Sequence, residues 1–143
     1  MWDLFRRRRP AEVEVSFSFS APVRASDPVL PDGVDLRHLE STRIRVKGTM
    51  ALIPDSERET LGGRVYVLRR EPKNKHDPNA IAVLSEGRKV GYVSASRAAM
   101  MAPLLDRIGS DVLVNGMGAM TNSIRLWVDL PKAAALRGFV KAL

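Results

Sequence analysis

From Glu12 to Ser20 polar and apolar residues alternate without a break. Val13, Val15, Phe17 and Phe19 fall on one face, Glu12, Glu14 and three Ser on the other. Period two marks a half-buried strand, free to add to an edge of its own domain or of another molecule. Residues 20–36 break the pattern with Pro22, Pro28, Pro31, Gly33 and Asp-led turns, and read as a linker. Alternation resumes at Thr42-Arg43-Ile44-Arg45-Val46-Lys47-Gly48, now with a cationic outer face whose simplest account is solvation. A polar connection, 55–60, leads through Leu61-Gly62-Gly63 into an apolar run, Arg64-Val65-Tyr66-Val67-Leu68-Arg69.

A second apolar run, Ile81–Leu84, is followed by Ser85-Glu86-Gly87-Arg88 and Lys89–Val93, which predicts a hairpin. Ser94 or Ser96 can cap a helix through Ala98 and Met101; Pro103 is expected to break it and Gly109 to end it. Two more strands are predicted at 111–116 and 123–130, and a closing helix or tail at 133–143. The fold class is therefore mainly β, a small barrel or curled sheet with one or two short helices. Its domain spans 42–132, behind an extension over 1–41.

Between 70 and 80 lies the most informative stretch, Arg70-Glu71-Pro72-Lys73-Asn74-Lys75-His76-Asp77-Pro78-Asn79-Ala80. Two prolines fix φ and push their preceding residues out of the helical region, so this is a stiff loop turned twice. Rigid loops loaded with polar groups are where binding residues concentrate.

Charge narrows the picture. Residues 1–42 carry six basic and seven acidic groups, while 43–132 carry fifteen and nine, net +6. The surplus belongs to the central domain, as expected of a nucleic-acid binder. Arg outnumbers Lys, 17 to 6; a guanidinium grips phosphate bidentately, although a GC-rich genome would produce the same bias. Absence of Cys removes thiolate chemistry and Cys-based zinc sites, and two distant histidines, His38 and His76, make a metal site improbable. No Walker loop, nucleophile elbow or paired carboxylate is present. We therefore expect no enzyme and no cofactor.

At the start, Met1–Phe5 precedes Arg6–Arg9, the reverse of a secretory signal, and no apolar run approaches the ~20 residues that span a bilayer. A cytoplasmic protein is expected. Residues 1–9 leave three readings open: a frayed basic end, contact with an anionic membrane surface, or an Asp3-Leu4-Phe5 peptide for a sliding clamp, which lacks that pattern's leading Gln.

The run Val67–Val83, together with Gly48, Val90-Gly91-Tyr92-Val93, Ala98 and Ala102-Pro103-Leu104-Leu105, resembles the HIRAN domain over about 43–131. The resemblance implies an OB-like six-stranded barrel that binds single-stranded DNA at a free 3′ end. It assigns His76-Asp77 to the pair that stacks on the terminal base and bonds the 3′-hydroxyl, Tyr92 to a second contact, and Arg70, Lys73 and Lys75 to phosphates; Asn74 in the same loop is a further DNA-binding candidate. A carboxylate accepts a bond from a hydroxyl but repels a terminal phosphate. Asp77 has a second reading, an Asx turn onto the Asn79 or Ala80 amide, and Tyr92 another, as packing. The chain departs from the resemblance after Gly48, where Thr49-Met50-Ala51 replaces an Arg and an aromatic; a lost stacking partner is worth about 1–3 kcal/mol. The expected function is a non-catalytic module for DNA ends in repair or replication, partnering a helicase, nuclease or clamp. The alternative is a protein-interaction adaptor that works through its N-terminal segment.

Overall fold

The computed structural model describes residues 30–54, 57, 62–118 and 125–143. The expected strand at 12–20, the Trp2–Phe5 peptide, the Arg6–Arg9 run, most of the 55–60 connection and the start of the 123–130 strand lie outside them. Within the described residues the order is β1 (Val34–Asp35), β2 (Ser41–Arg45), α1 (Thr49–Leu52), β3 (Val65–Arg70), β4 (Ile81–Ser85), β5 (Arg88–Tyr92), α2 (Ala95–Ile108), β6 (Val112–Met117), β7 (Trp127–Pro131) and α3 (Ala133–Lys141).

Six strands run β2-β7-β6-β3-β4-β5 with antiparallel neighbours, and β1 joins β6 in parallel. The two ends of this path meet just beyond β2. There the Lys47 N–H donates to the Tyr92 carbonyl at 2.9 Å and the Tyr92 N–H to the Lys47 carbonyl at 2.8 Å. The sheet thus curls into a half-barrel, mostly β with three short helices. The mainly-β, barrel-like class is that expected; the sheet has seven strands where six were expected, the seventh being the two-residue β1, and three helices in place of one or two.

This closure needs a glycine. A Cβ on Gly91 would lie 2.3 Å from Val46 Cγ1 and 2.5 Å from the Lys47 carbonyl oxygen, closer than any relaxed contact allows. The β4–β5 turn is built as a two-residue hairpin should be, with Glu86 at φ 53° and Gly87 at φ 81°.

Leu68, Ile81, Val83, Val90, Val112, Val114, Val128 and Leu130 fill the concave side with Tyr66, whose hydroxyl donates to the Met117 carbonyl at 2.9 Å. Helix α2 adds Ala98, Met101, Ala102 and Leu105, spaced to make one face. Every residue of β4 is buried, because Ala82 and Leu84 belong to a second apolar cluster with Val67 and Leu113 on the other side of the sheet.

Three local expectations change, and one element is new. Helix α2 continues through Pro103, since Ala99 and Pro103 are both exposed and water can serve the carbonyl that proline leaves without a donor. Ser94 holds the N-cap position but makes no side-chain cap bond. The stretch read as linker ends in β1, followed by Leu36 at the core. Finally, Thr49–Leu52 is one helical turn, entered through Gly48 at φ 77°.

Candidate functional site

The 70–80 loop is held from three directions. The Arg70 guanidinium, only 14% exposed, donates to the Ala80 carbonyl at 2.8 Å, the Pro78 carbonyl at 3.0 Å and both Asp106 oxygens at 2.8 and 3.3 Å. It therefore clamps the far end of the loop onto α2. Asn74 staples the near end: its Nδ2 donates to Glu71 Oε1 at 3.0 Å, and its Oδ1 accepts from the His76 and Asp77 amides at 2.8 and 3.1 Å. Asp77 Oδ1 accepts from the Asn79 amide at 2.8 Å, the Asx turn. Asp77 Oδ2 has no partner among the described residues.

Beside the loop stands a second network. Tyr92 donates its phenol proton to Glu71 Oε1 at 2.9 Å and accepts from Lys89 Nζ at 2.9 Å, while Lys89 also pairs with Glu71 and sits 5.1 Å from the Tyr92 ring centre. Lys89 and Tyr92 are three apart in a strand and would ordinarily face opposite ways. A β-bulge puts them together: Gly91 opposes Val83 and Lys89 opposes Leu84, leaving Val90 as the extra residue. Burial raises the Glu71 carboxyl, but bonds from Lys89, Asn74 and Tyr92 outweigh it and hold the group below its usual value. Glu71, then Tyr92, hold the Lys89 ammonium above its own.

Together these groups frame a pocket of about 270 Å³ lined by Asn74, His76, Asp77, Ala80, Tyr92, Val93 and Ala95. At ~30 Å³ per water that is the space of some nine waters, enough for one terminal nucleotide. Ala80, Val93 and Ala95 make part of its lining apolar, and His76, Asp77 and Tyr92 bring residues with an imidazole, a carboxylate and a phenol. Of the expected site residues, Asn74, His76, Asp77 and Tyr92 share this pocket. Arg70 is spent on the loop itself. Lys73 and Lys75 are exposed on the loop, Lys73 over a shallow depression shared with Glu71, Pro72 and Asn74.

Sequence reasoning missed Glu71 and Lys89, the pair that orients Tyr92. Glu71 was within the singled-out run, but nothing in the sequence announced the bulge. Asp106 and Asp111 are ion-pair partners of Arg70 and Arg69, which nothing local in the sequence announced.

The HIRAN domain family model matches residues 41–130, more than half of the chain. The chain belongs to the HIRAN domain family. HIRAN domains are nucleic-acid-binding domains, which supports a DNA-binding module here. The HIRAN domain of human HLTF shares 21% identity, with 71% of this chain and 87% of that one covered and a TM-score of 0.49. A protein from Lactobacillus plantarum shares 26% identity, with 61% and 86% covered and a TM-score of 0.47. No curated protein matches the chain in sequence. Among the described residues no helix is long and apolar enough to cross a membrane, and no cluster of His, Asp or Glu could hold a metal ion.

Proposed function

We propose that this HIRAN domain binds single-stranded DNA at a 3′-hydroxyl end, without catalysis, and presents that end to a repair or replication enzyme such as a helicase or nuclease in the cytoplasm. The observation that carries the reading is Asp77 in the lining of a pocket of about 270 Å³ beside His76 and Tyr92, with only its Oδ1 bonded among the described residues. Oδ1 is already used by the loop, so the Asx turn and a ligand contact coexist on one carboxylate. Oδ2 accepts a hydrogen bond from the 3′-hydroxyl; His76 and Tyr92 offer flat faces to the terminal base. Lys73 and Lys75 supply cations close by for the adjoining phosphate.

The test is fluorescence anisotropy with a short oligonucleotide ending in 3′-hydroxyl or in 3′-phosphate. The hydroxyl end should bind more tightly. Equal affinities, both falling alike with salt, would leave only a generic basic surface.

A further inference from the structure

Strand β2 leaves one edge of the sheet open. On its paired side the Val46 amide donates to the Leu126 carbonyl at 2.9 Å and the Lys132 amide to the Glu40 carbonyl at 2.8 Å, in the register that sets Thr42 opposite Leu130 and Ile44 opposite Val128. Antiparallel ladders bond alternate residues, so the even-numbered residues serve β7, while Ser41, Arg43 and Arg45 turn their N–H and C=O groups away from it. Lys47 continues the odd series and shows where these groups point: its N–H and C=O both meet Tyr92 of β5. Short of that closure, the outward backbone groups of Arg43 and Arg45 have no ladder partner among the described residues.

An open edge is a template for another strand, and the side chains select which. Arg43 is matched across the ladder by Asp129, through a bidentate pair at 2.7 and 3.0 Å. Arg45 and Lys47, the next two residues of the series, are exposed and have no ion-pair partner among the described residues. A second copy pairing through the same edge would bring cations against cations, which is destabilising; an acidic strand would meet its complement. Met50 shares a concavity with Arg45 and Lys47 and is 69% exposed. That concavity is lined by neither a carboxylate nor an aromatic ring. A base therefore finds no ring there to stack on, whereas a flexible thioether suits the apolar side chains of a peptide.

We infer that the open edge of β2 takes an extended segment of a partner protein in which acidic residues alternate with apolar ones. The segment adds antiparallel to β2, with its acidic side chains facing Arg45 and Lys47 and an apolar one against Met50. The inference stands apart from end binding: it concerns a protein partner and a different edge of the domain from the 70–80 loop.

The test is fluorescence anisotropy of the full chain with a labelled octapeptide of alternating Val and Glu. In an antiparallel ladder the residues opposite Arg45 share its face and turn their amides to the edge. N-methylating the Glu amides should thus weaken binding by about tenfold or more, as expected for two or three lost ladder bonds, while N-methylating the Val amides should leave it unchanged. Charge reversal, Arg45→Glu, should weaken the Val-Glu peptide by about fivefold and strengthen an alternating Val-Lys peptide. Arg45 is exposed, so an unchanged melting temperature is expected and rules out misfolding as the cause. Equal binding of the two methylated peptides would reduce the contact to charge alone and overturn the edge. No peptide binding, with oligothymidylate affinity falling in Arg45→Glu, would make this surface a nucleic-acid contact and overturn it as well.

Discussion

Arg70 separates two physical roles that one residue cannot fill at once. As a phosphate contact, its loss would weaken every strand alike and reduce the salt slope by about 0.7, leaving stability untouched. As a clamp, its loss should loosen the loop. The relevant variant is Arg70→Met, which keeps the stem's packing. It removes charge-assisted bonds to the Ala80 and Pro78 carbonyls, each worth about 1.5–3 kcal/mol. The Ala80 carbonyl keeps the Glu71 amide at 2.9 Å, and Pro78 is exposed, so neither acceptor is orphaned and the lower end applies. The Asp106 side chain is 53% exposed, which limits that pair to under ~1 kcal/mol. The total is about 3 kcal/mol, or roughly 10 °C in Tm for a domain of this size. Thermal melting followed by circular dichroism reads the first quantity, and anisotropy with 3′-hydroxyl and 3′-phosphate strands reads whether end discrimination falls with it. An unchanged Tm with a reduced salt slope would refute the clamp.

Two other perturbations probe the frame around the pocket. Gly91→Ala places a methyl against the Val46 side chain and the Lys47 carbonyl where the half-barrel closes; it should cost about 1–3 kcal/mol in chemical denaturation, and a loss below 0.5 kcal/mol would show that the strands part easily. Because the Glu71 carboxyl is held below its usual value, its contribution is complete above the unfolded carboxylate pKa and is lost as pH falls through the lower, folded one. Stability and end binding should thus be flat near neutrality and decline below about pH 4.5. Glu71→Gln should flatten the part of that decline that comes from this network, measured as Tm against pH; identical acid profiles would remove Glu71 from the account.

How much of this was written in the sequence follows from the range of the interactions concerned. The strands β3, β4 and β5 carry their own signals, alternation or apolar runs bounded by turn residues, and the Glu86-Gly87 hairpin is a two-residue event. Pro72 and Pro78 announce the stiff loop for the same reason. What stayed hidden depends on partners far along the chain. An Arg that will face Asp106 reads like one that will face solvent, so the clamp made by Arg70 was not legible. The bulge at Val90 exists only in the pairing with β4, and without it Lys89 and Tyr92 appear on opposite faces. Strand β1 is two residues that take their shape from β6. Pro103 misled in the other direction, because a local helix breaker is tolerated where the freed carbonyl meets water.

The central claim is that the Asp77 carboxylate reads the chemistry of the strand's end. It is tested most directly by the ratio of Kd for a 3′-phosphate strand to that for the matching 3′-hydroxyl strand, in wild type and in Asp77→Ala. Two charges ~4 Å apart interact by about 1 kcal/mol in water and about 4 kcal/mol at an effective dielectric near 20, and Asp77 is half-buried. Wild type should therefore prefer the hydroxyl by about tenfold or more, and Asp77→Ala should bring the ratio close to one. A ratio that is large and unchanged in Asp77→Ala would contradict the assignment.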